Sequence, residues 1–207
     1  FEKYFLCLFY QQKFDEAEKL TSKKFKQDPF NTNVAFMLGQ VYEETGRQED
    51  ANELYDDLID DLVAVQSRIT NLGKEFKVRG KYDFALKTYE KGKKLIKKGY
   101  QFQLELAEVY SLLNRQADMI SEYLNLLDYS KVYLKTVQTY LSRVIDFEED
   151  HELVELLKTE LLSRIQSAPN DDHWSEMLIW FYLHKKEFNG AVIQTKALDK
   201  RKGMNGR

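Results

Sequence analysis

The apolar positions fall at helical spacing, and the whole pattern then repeats. Leu38, Gly39 and Tyr42 follow the i, i+1, i+4 spacing of one helix face, and Ala51, Leu54, Tyr55 and Leu58 mark a second helix after the break at Thr45-Gly46-Arg47. The same figure returns as Leu72-Gly73-x-x-Phe76 and Ala85-x-x-x-Tyr89. It returns again, blurred, as Leu106-Ala107-x-x-Tyr110 and Met119-x-x-x-Tyr123. Gly39 and Gly73 are 34 residues apart, as are Gly73 and Ala107, Ala51 and Ala85, and Tyr55, Tyr89 and Tyr123. A fixed period of this length predicts stacked helical hairpins, each unable to bury its apolar face alone.

The breaks repeat with the faces. Gly46 and Gly80 suit the left-handed conformation that ends a helix, and Asn114 can adopt it where glycine is missing. Helices are predicted over 32–44 and 48–61, then 67–78 and 82–96. Upstream, Ala17 keeps the frame, and Asp28-Pro29-Phe30-Asn31 closes one helix and starts the next, since proline cannot extend the helix before it. Downstream the pattern weakens at Tyr140, Leu141 and Val144, because Leu141 is bulky where a small residue would let two helices approach. Hairpin geometry is expected to open there. After Ser167 to Asp172 the register slips by about three residues, and Trp174, Met177, Leu178 and Phe181 restart a first helix, with Gly190, Ala191, Gln194 and Ala197 on the second. The approximate repeats are 1–31, 32–65, 66–99, 100–133, 134–170 and 171–200, with a frayed tail at 201–207, all in a single domain.

Those helix pairs resemble the tetratricopeptide repeat family, whose signature runs from a bulky residue through Leu-Gly and Tyr to Ala, an aromatic, Ala and Pro. The nearest matches are Leu38-Gly39-x-x-Tyr42 and Trp174-x-x-Met177 for the first helix. For the second they are Ala51-x-x-x-Tyr55 and Ala85-x-x-x-Tyr89-x-x-Gly92. The closing proline survives only at Pro29 and Pro169. The resemblance implies an all-α, right-handed superhelical solenoid in which the first helix of each pair, helix A, lines a concave groove. It implies a non-enzymatic scaffold that holds a protein or peptide partner in that groove. The residues it places there are Asn33, Phe36, Met37 and Gln40, then Thr70, Asn71 and Lys74, then Gln101, Glu105 and Glu108, then Gln138, Thr139 and Ser142. Phe36, Met37, Asn71 and Lys74 are the expected anchors. Of the Lys, Arg and Asn set with which some members clamp a terminal carboxylate, only Asn71 is present. Glu105 would repel a carboxylate, so the expected partner is a segment with some positive charge.

Composition changes this picture little. The net charge of −3 disfavours a dedicated nucleic-acid binder. One segment points the other way: between Lys74 and Lys98 lie ten cations against Glu75, Asp83 and Glu90, with Tyr82, Tyr89 and Tyr100 interleaved. The alternative function is therefore binding of nucleic acid or an anionic surface through Lys87 to Lys98. The competing expectation is that this basic repeat attracts the acidic one before it, from Glu43 to Asp61. A further alternative is a regulatory or scaffold segment of a longer enzyme or envelope protein, since the chain opens inside a helical pattern. Apolar repeat ends also suggest self-association.

Catalytic signals are sparse. His151, His173 and His184 share no metal-ligand spacing, and Lys91-Gly92-Lys93-Lys94 lacks the context of a phosphate loop. Acidic pairs such as Asp56-Asp57 read as a solvated helix face. No cofactor is expected. Cys7, the single cysteine, excludes an internal disulfide and a cysteine zinc site, and it sits in an apolar helix where a buried packing role is expected. No apolar run approaches the roughly 20 residues of a membrane span. The expected setting is soluble, cytoplasmic or periplasmic, with any targeting segment lying outside this sequence.

Overall fold

The computed structural model describes residues 1–203. It contains twelve α-helices and one short 3-10 turn, with no strand among the described residues. Ten of the helices form consecutive pairs and α9 and α10 do not, within the all-α helical repeat that the resemblance implies. Residues 204–207, the end of the expected tail, lie outside the described residues.

Two compact units divide the chain, Phe1–Gln101 and the part from Phe102 onward. In the first, the pairs are α1 (Glu2–Tyr10) with α2 (Phe14–Gln27), α3 (Thr32–Glu44) with α4 (Gln48–Asp60), and α5 (Gln66–Val78) with α6 (Tyr82–Leu95). The bounds of α3 to α6 fall within a residue of the expected ones. Each pair turns through a left-handed residue at one repeat position: Gln12 at φ 58°, Gly46 at 76° and Gly80 at 72°. The 34-residue step continues at Asn114 (φ 56°) in the second unit, as expected of asparagine. Gln12 and Lys186 (φ 60°) hold the same conformation without a residue type that announces it.

In the first unit, close approach within a pair depends on two glycines. Gly39 and Gly73 are the positions where α3 and α5 receive a tyrosine ring from the second helix, Tyr55 and Tyr89 respectively. A Cβ on Gly39 would lie 2.6 Å from Tyr55 Cε1, and one on Gly73 would lie 2.7 Å from Tyr89 Cε1. Both rings are essentially sealed from solvent. Between the second and third pairs sits an aromatic cluster. Phe76 of α5 meets Phe36 of α3 at 4.9 Å between ring centres, Tyr55 of α4 at 5.5 Å and Phe84 of α6 at 5.4 Å. Edge-to-face and offset arrangements of this kind add to the area they bury. The first pair is sealed separately, by Phe5, Leu8 and Ala17 packing on Met37 and Val41 of α3.

In the second unit α7 (Gln103–Leu112) pairs with α8 (Gln116–Tyr129), and α11 (Asp172–His184) with α12 (Phe188–Arg201). Between them α9 (Leu134–Val144) and α10 (His151–Ser167) pack chiefly on α8 and α11 rather than on each other. That is the opening expected from Leu141, which is fully buried where a small residue would have allowed a tight crossing. The link between them contributes to the core, which the sequence pattern does not signal. Phe147 packs on Trp180 and Phe181, and its carbonyl accepts a hydrogen bond from Lys185 Nζ at 3.1 Å.

Three sequence expectations are corrected here. Cys7 is exposed, not buried; it lies two residues beyond Phe5, on the side of α1 turned away from the contacts of Phe5 and Leu8. Ala197 is exposed on α12. Arg201 is not frayed: it ends α12, donates to the Pro169 carbonyl and to Ser175 Oγ, and lies 3.8 Å from Asp172.

Candidate functional site

The face expected to bind divides into residues that reach the surface and residues that do not. In the first unit, Asn33 is exposed in the first turn of α3 and donates to Glu2 Oε1 at 2.7 Å. Gln40 is half-buried. Phe36 is 1% exposed and Met37 9%, so neither can act as a surface anchor. The reason is that α3 is contacted on three sides: Met37 closes the core of the first pair, and Phe36 inserts into the aromatic cluster with Tyr55 and Phe76. The guanidinium of Arg79 then covers the ring of Phe36 at 4.2 Å and pairs with Glu75.

Along α5, Thr70 is half-buried, while Asn71 and Lys74 are exposed. Asn71 looks into a hollow of about 300 Å³ with Arg68 and an apolar floor of Phe30, Leu58, Leu62 and Leu72. Gln101 is not on a helix; its Nε2 donates to the Ile96 carbonyl at 3.2 Å in the link after α6. In the second unit Glu105 is half-buried and Glu108 exposed on α7. On α9, Gln138 is 8% exposed and so largely removed from the face, whereas Thr139 and Ser142 are exposed. Their hydroxyls donate to the carbonyls of Lys135 and Thr139. Gln40 and Lys74 occupy one repeat position in the first unit, and Glu108 and Ser142 continue it by 34-residue steps in the second.

Charge is organised at the turns. A cation follows the left-handed residue at the turns of the first four pairs, at Lys13, Arg47, Lys81 and Arg115. Arg47 lies over Tyr42 at 4.5 Å and Arg115 over Tyr110 at 4.6 Å. Arg47 pairs with Glu18 of the previous pair, and Lys81 with Glu43. Arg47 and Lys81 thereby fasten one pair to the next. Their 34-residue period is visible in the sequence, but the partners that fix their role come from the neighbouring pair. Burial pushes the Tyr55 phenol well above its usual range, and the carboxylate of Glu43 raises it further. Burial likewise lifts Tyr123 to about 12, with Tyr140 and Glu108 contributing. Both phenols are therefore neutral ring walls, not acid–base groups, at ordinary pH.

The lysine-rich repeat is largely committed internally. Lys87 Nζ is 2.7 Å from Asp56, and Lys91 Nζ is 2.6 Å from Asp60. These bonds join the basic face of α6 to the acidic face of α4, as the alternation of charge between repeats suggested. Lys94, Lys97 and Lys98 remain exposed. No group of His, Cys, Asp or Glu that could hold a metal ion occurs among the described residues. No helix among them is long and apolar enough to cross a membrane.

No family model matches the chain, and no curated protein matches it. Solved structures similar to it include MamA, at 18% identity and a TM-score of 0.39 over 78% of this chain and 95% of that one. A chain of the Naa15/Naa10 complex bound to HypK-THB is similar at 15% identity, with a TM-score of 0.34, over 96% of this chain and 36% of that one. A chain of the APC/C hetero-tetramer Cut9–Hcn1 is similar at 17% identity, with a TM-score of 0.34, over 96% and 38%. The present chain thus spans little more than a third of those last two. The architecture and site described above rest on this chain's own geometry.

Proposed function

We propose that the chain is a non-enzymatic scaffold that binds a protein segment along the exposed side of its A helices. What carries this reading is the repeated display position. Gln40 and Lys74 stand at equivalent points of α3 and α5, helices whose remaining faces are locked into the core. A side chain on such a helix meets a partner with little further ordering cost, which is how rigid repeats gain affinity from modest contacts. The contact set is Asn33, Gln40, Thr70, Asn71 and Lys74 in the first unit. Phe36 and Met37 support it from within.

The reading is tested with peptides selected from a random library on the intact chain. Lys74→Glu is expected to weaken the selected peptides about tenfold, with helicity unchanged. Selected peptides that bind Lys74→Glu and Asn71→Ala as well as the original chain would contradict it. The nucleic-acid alternative is less favoured, because Lys87 and Lys91, the centre of the basic run, are engaged by Asp56 and Asp60.

A further inference from the structure

The outer faces of the second helices form two equivalent grooves in the first unit, and only one of them is closed by charge. Between α4 and α6 lies a hollow of about 590 Å³ whose walls are Asp56 and Asp60 on one side and Lys87 and Lys91 on the other. The two ion pairs already described span it. Between α2 and α4 lies its counterpart, about 410 Å³. Subtracting 34 from each wall residue of the first groove gives the wall of the second: Ser22 for Asp56, Lys26 for Asp60, Glu53 for Lys87, Asp57 for Lys91. All four line the second hollow.

The chemistry of the two grooves is opposite. Where α6 presents two lysines, α4 presents two carboxylates one helical turn apart, and α2 answers with a hydroxyl and one lysine. Asp50 extends the acidic row; its one ion-pair contact among the described residues is Arg47 at 4.0 Å, and that cation is already bonded to Glu18. Neither Glu53 nor Asp57 has an ion-pair partner among the described residues. The floor is apolar: Phe25, Leu38, Leu54 and the ring of Tyr42. Burial, with the carboxylates of Glu18 and Asp50, pushes the Tyr42 phenol up, against the opposing effects of Arg47 and of a hydrogen bond with Ser22.

We propose that the α2/α4 groove docks a partner protein segment carrying two cations one helical turn apart around an apolar residue. The pattern is that of Lys87 and Lys91, the pair that closes the neighbouring groove from within the chain. The cations would meet Glu53 and Asp57, with Asp50 at the rim, and the apolar residue would seat on Phe25, Leu38 and Leu54. This surface is distinct from the A-helix face, so either can fail alone.

The probe is a labelled helical peptide with lysines at i and i+4 flanking a leucine, beside the same peptide with glutamates at those places. The intact chain is expected to bind the lysine peptide saturably and the glutamate peptide not at all. Glu53→Gln combined with Asp57→Asn should weaken binding about tenfold or more, with steep salt dependence. The control Glu148→Gln with Glu149→Gln, which removes the same charge from exposed positions of the second unit, should leave binding unchanged. Absence of saturable binding, or equal loss in both double variants, would overturn the proposal. Lys74→Glu, which tests the other face, should not affect this probe.

Discussion

Phe76→Ala is expected to lower the unfolding free energy by about 3–5 kcal/mol, the range found when a large buried aromatic is truncated. Its ring is 0% exposed and stands between three others, Phe36, Tyr55 and Phe84. Those three come from helices α3, α4 and α6, so the ring joins the second pair to the third. Truncation would leave a cavity at the seam and not merely within one pair. Set against typical domain stabilities of about 5–15 kcal/mol, this loss is a large fraction of the whole. Urea unfolding followed by circular dichroism measures it. Val78→Ala, on the same helix but 72% exposed, should change stability by less than about 0.5 kcal/mol. A Phe76→Ala variant as stable as Val78→Ala would show that the aromatic seam does not exist.

Gly39→Ala should cost about 1–3 kcal/mol, by overpacking and not by lost burial. The new methyl group would have to displace the Tyr55 ring, and that ring is held by Phe36, Phe76 and Phe84. Gly46 provides the contrast. It has nothing within 4 Å of a built Cβ, but its φ is +76°, so Gly46→Ala is destabilised by backbone strain of about 1–2 kcal/mol. The two causes separate with asparagine. Gly46→Asn should recover most of the loss, because asparagine tolerates the left-handed region and Asn114 already occupies it at the equivalent turn. Gly39→Asn should be worse than Gly39→Ala. If asparagine behaved alike at both positions, the assignment of one glycine to close packing and the other to turn geometry would be wrong.

What could be read from residues alone follows the same division. Gly39, Gly46, Tyr55 and their copies announce pairing and turning, because these depend on contacts inside one hairpin that recur every 34 residues. Phe36, Met37 and Gln138 are placed on a binding face by the family resemblance, and all three are buried. Periodicity reports how a helix meets its own partner; it carries no mark of what the adjacent pairs lay against its remaining sides. Phe36 is covered by Phe76 and Arg79, both about 40 residues away. Phe147 escaped notice for a related reason: a single aromatic in an acidic link has no period to betray its burial. The charge ladder from Asp56 and Asp60 to Lys87 and Lys91 was half legible. Opposite charge in neighbouring repeats was plain, but the register that pairs them needed the helices side by side. The same register exposes the unanswered carboxylates at Glu53 and Asp57.

Sequential packing, pair upon pair, is the premise beneath all of this, and ring-to-ring magnetisation transfer tests it most directly. With phenylalanine labelled in an otherwise deuterated chain, the ring protons of Phe36 and Phe76 should give a strong nuclear Overhauser cross-peak, since their centres are 4.9 Å apart. No other contact in a lone hairpin could produce it. A Phe36 ring that shows no cross-peak to Phe76, in a chain that is folded and helical, would contradict the account.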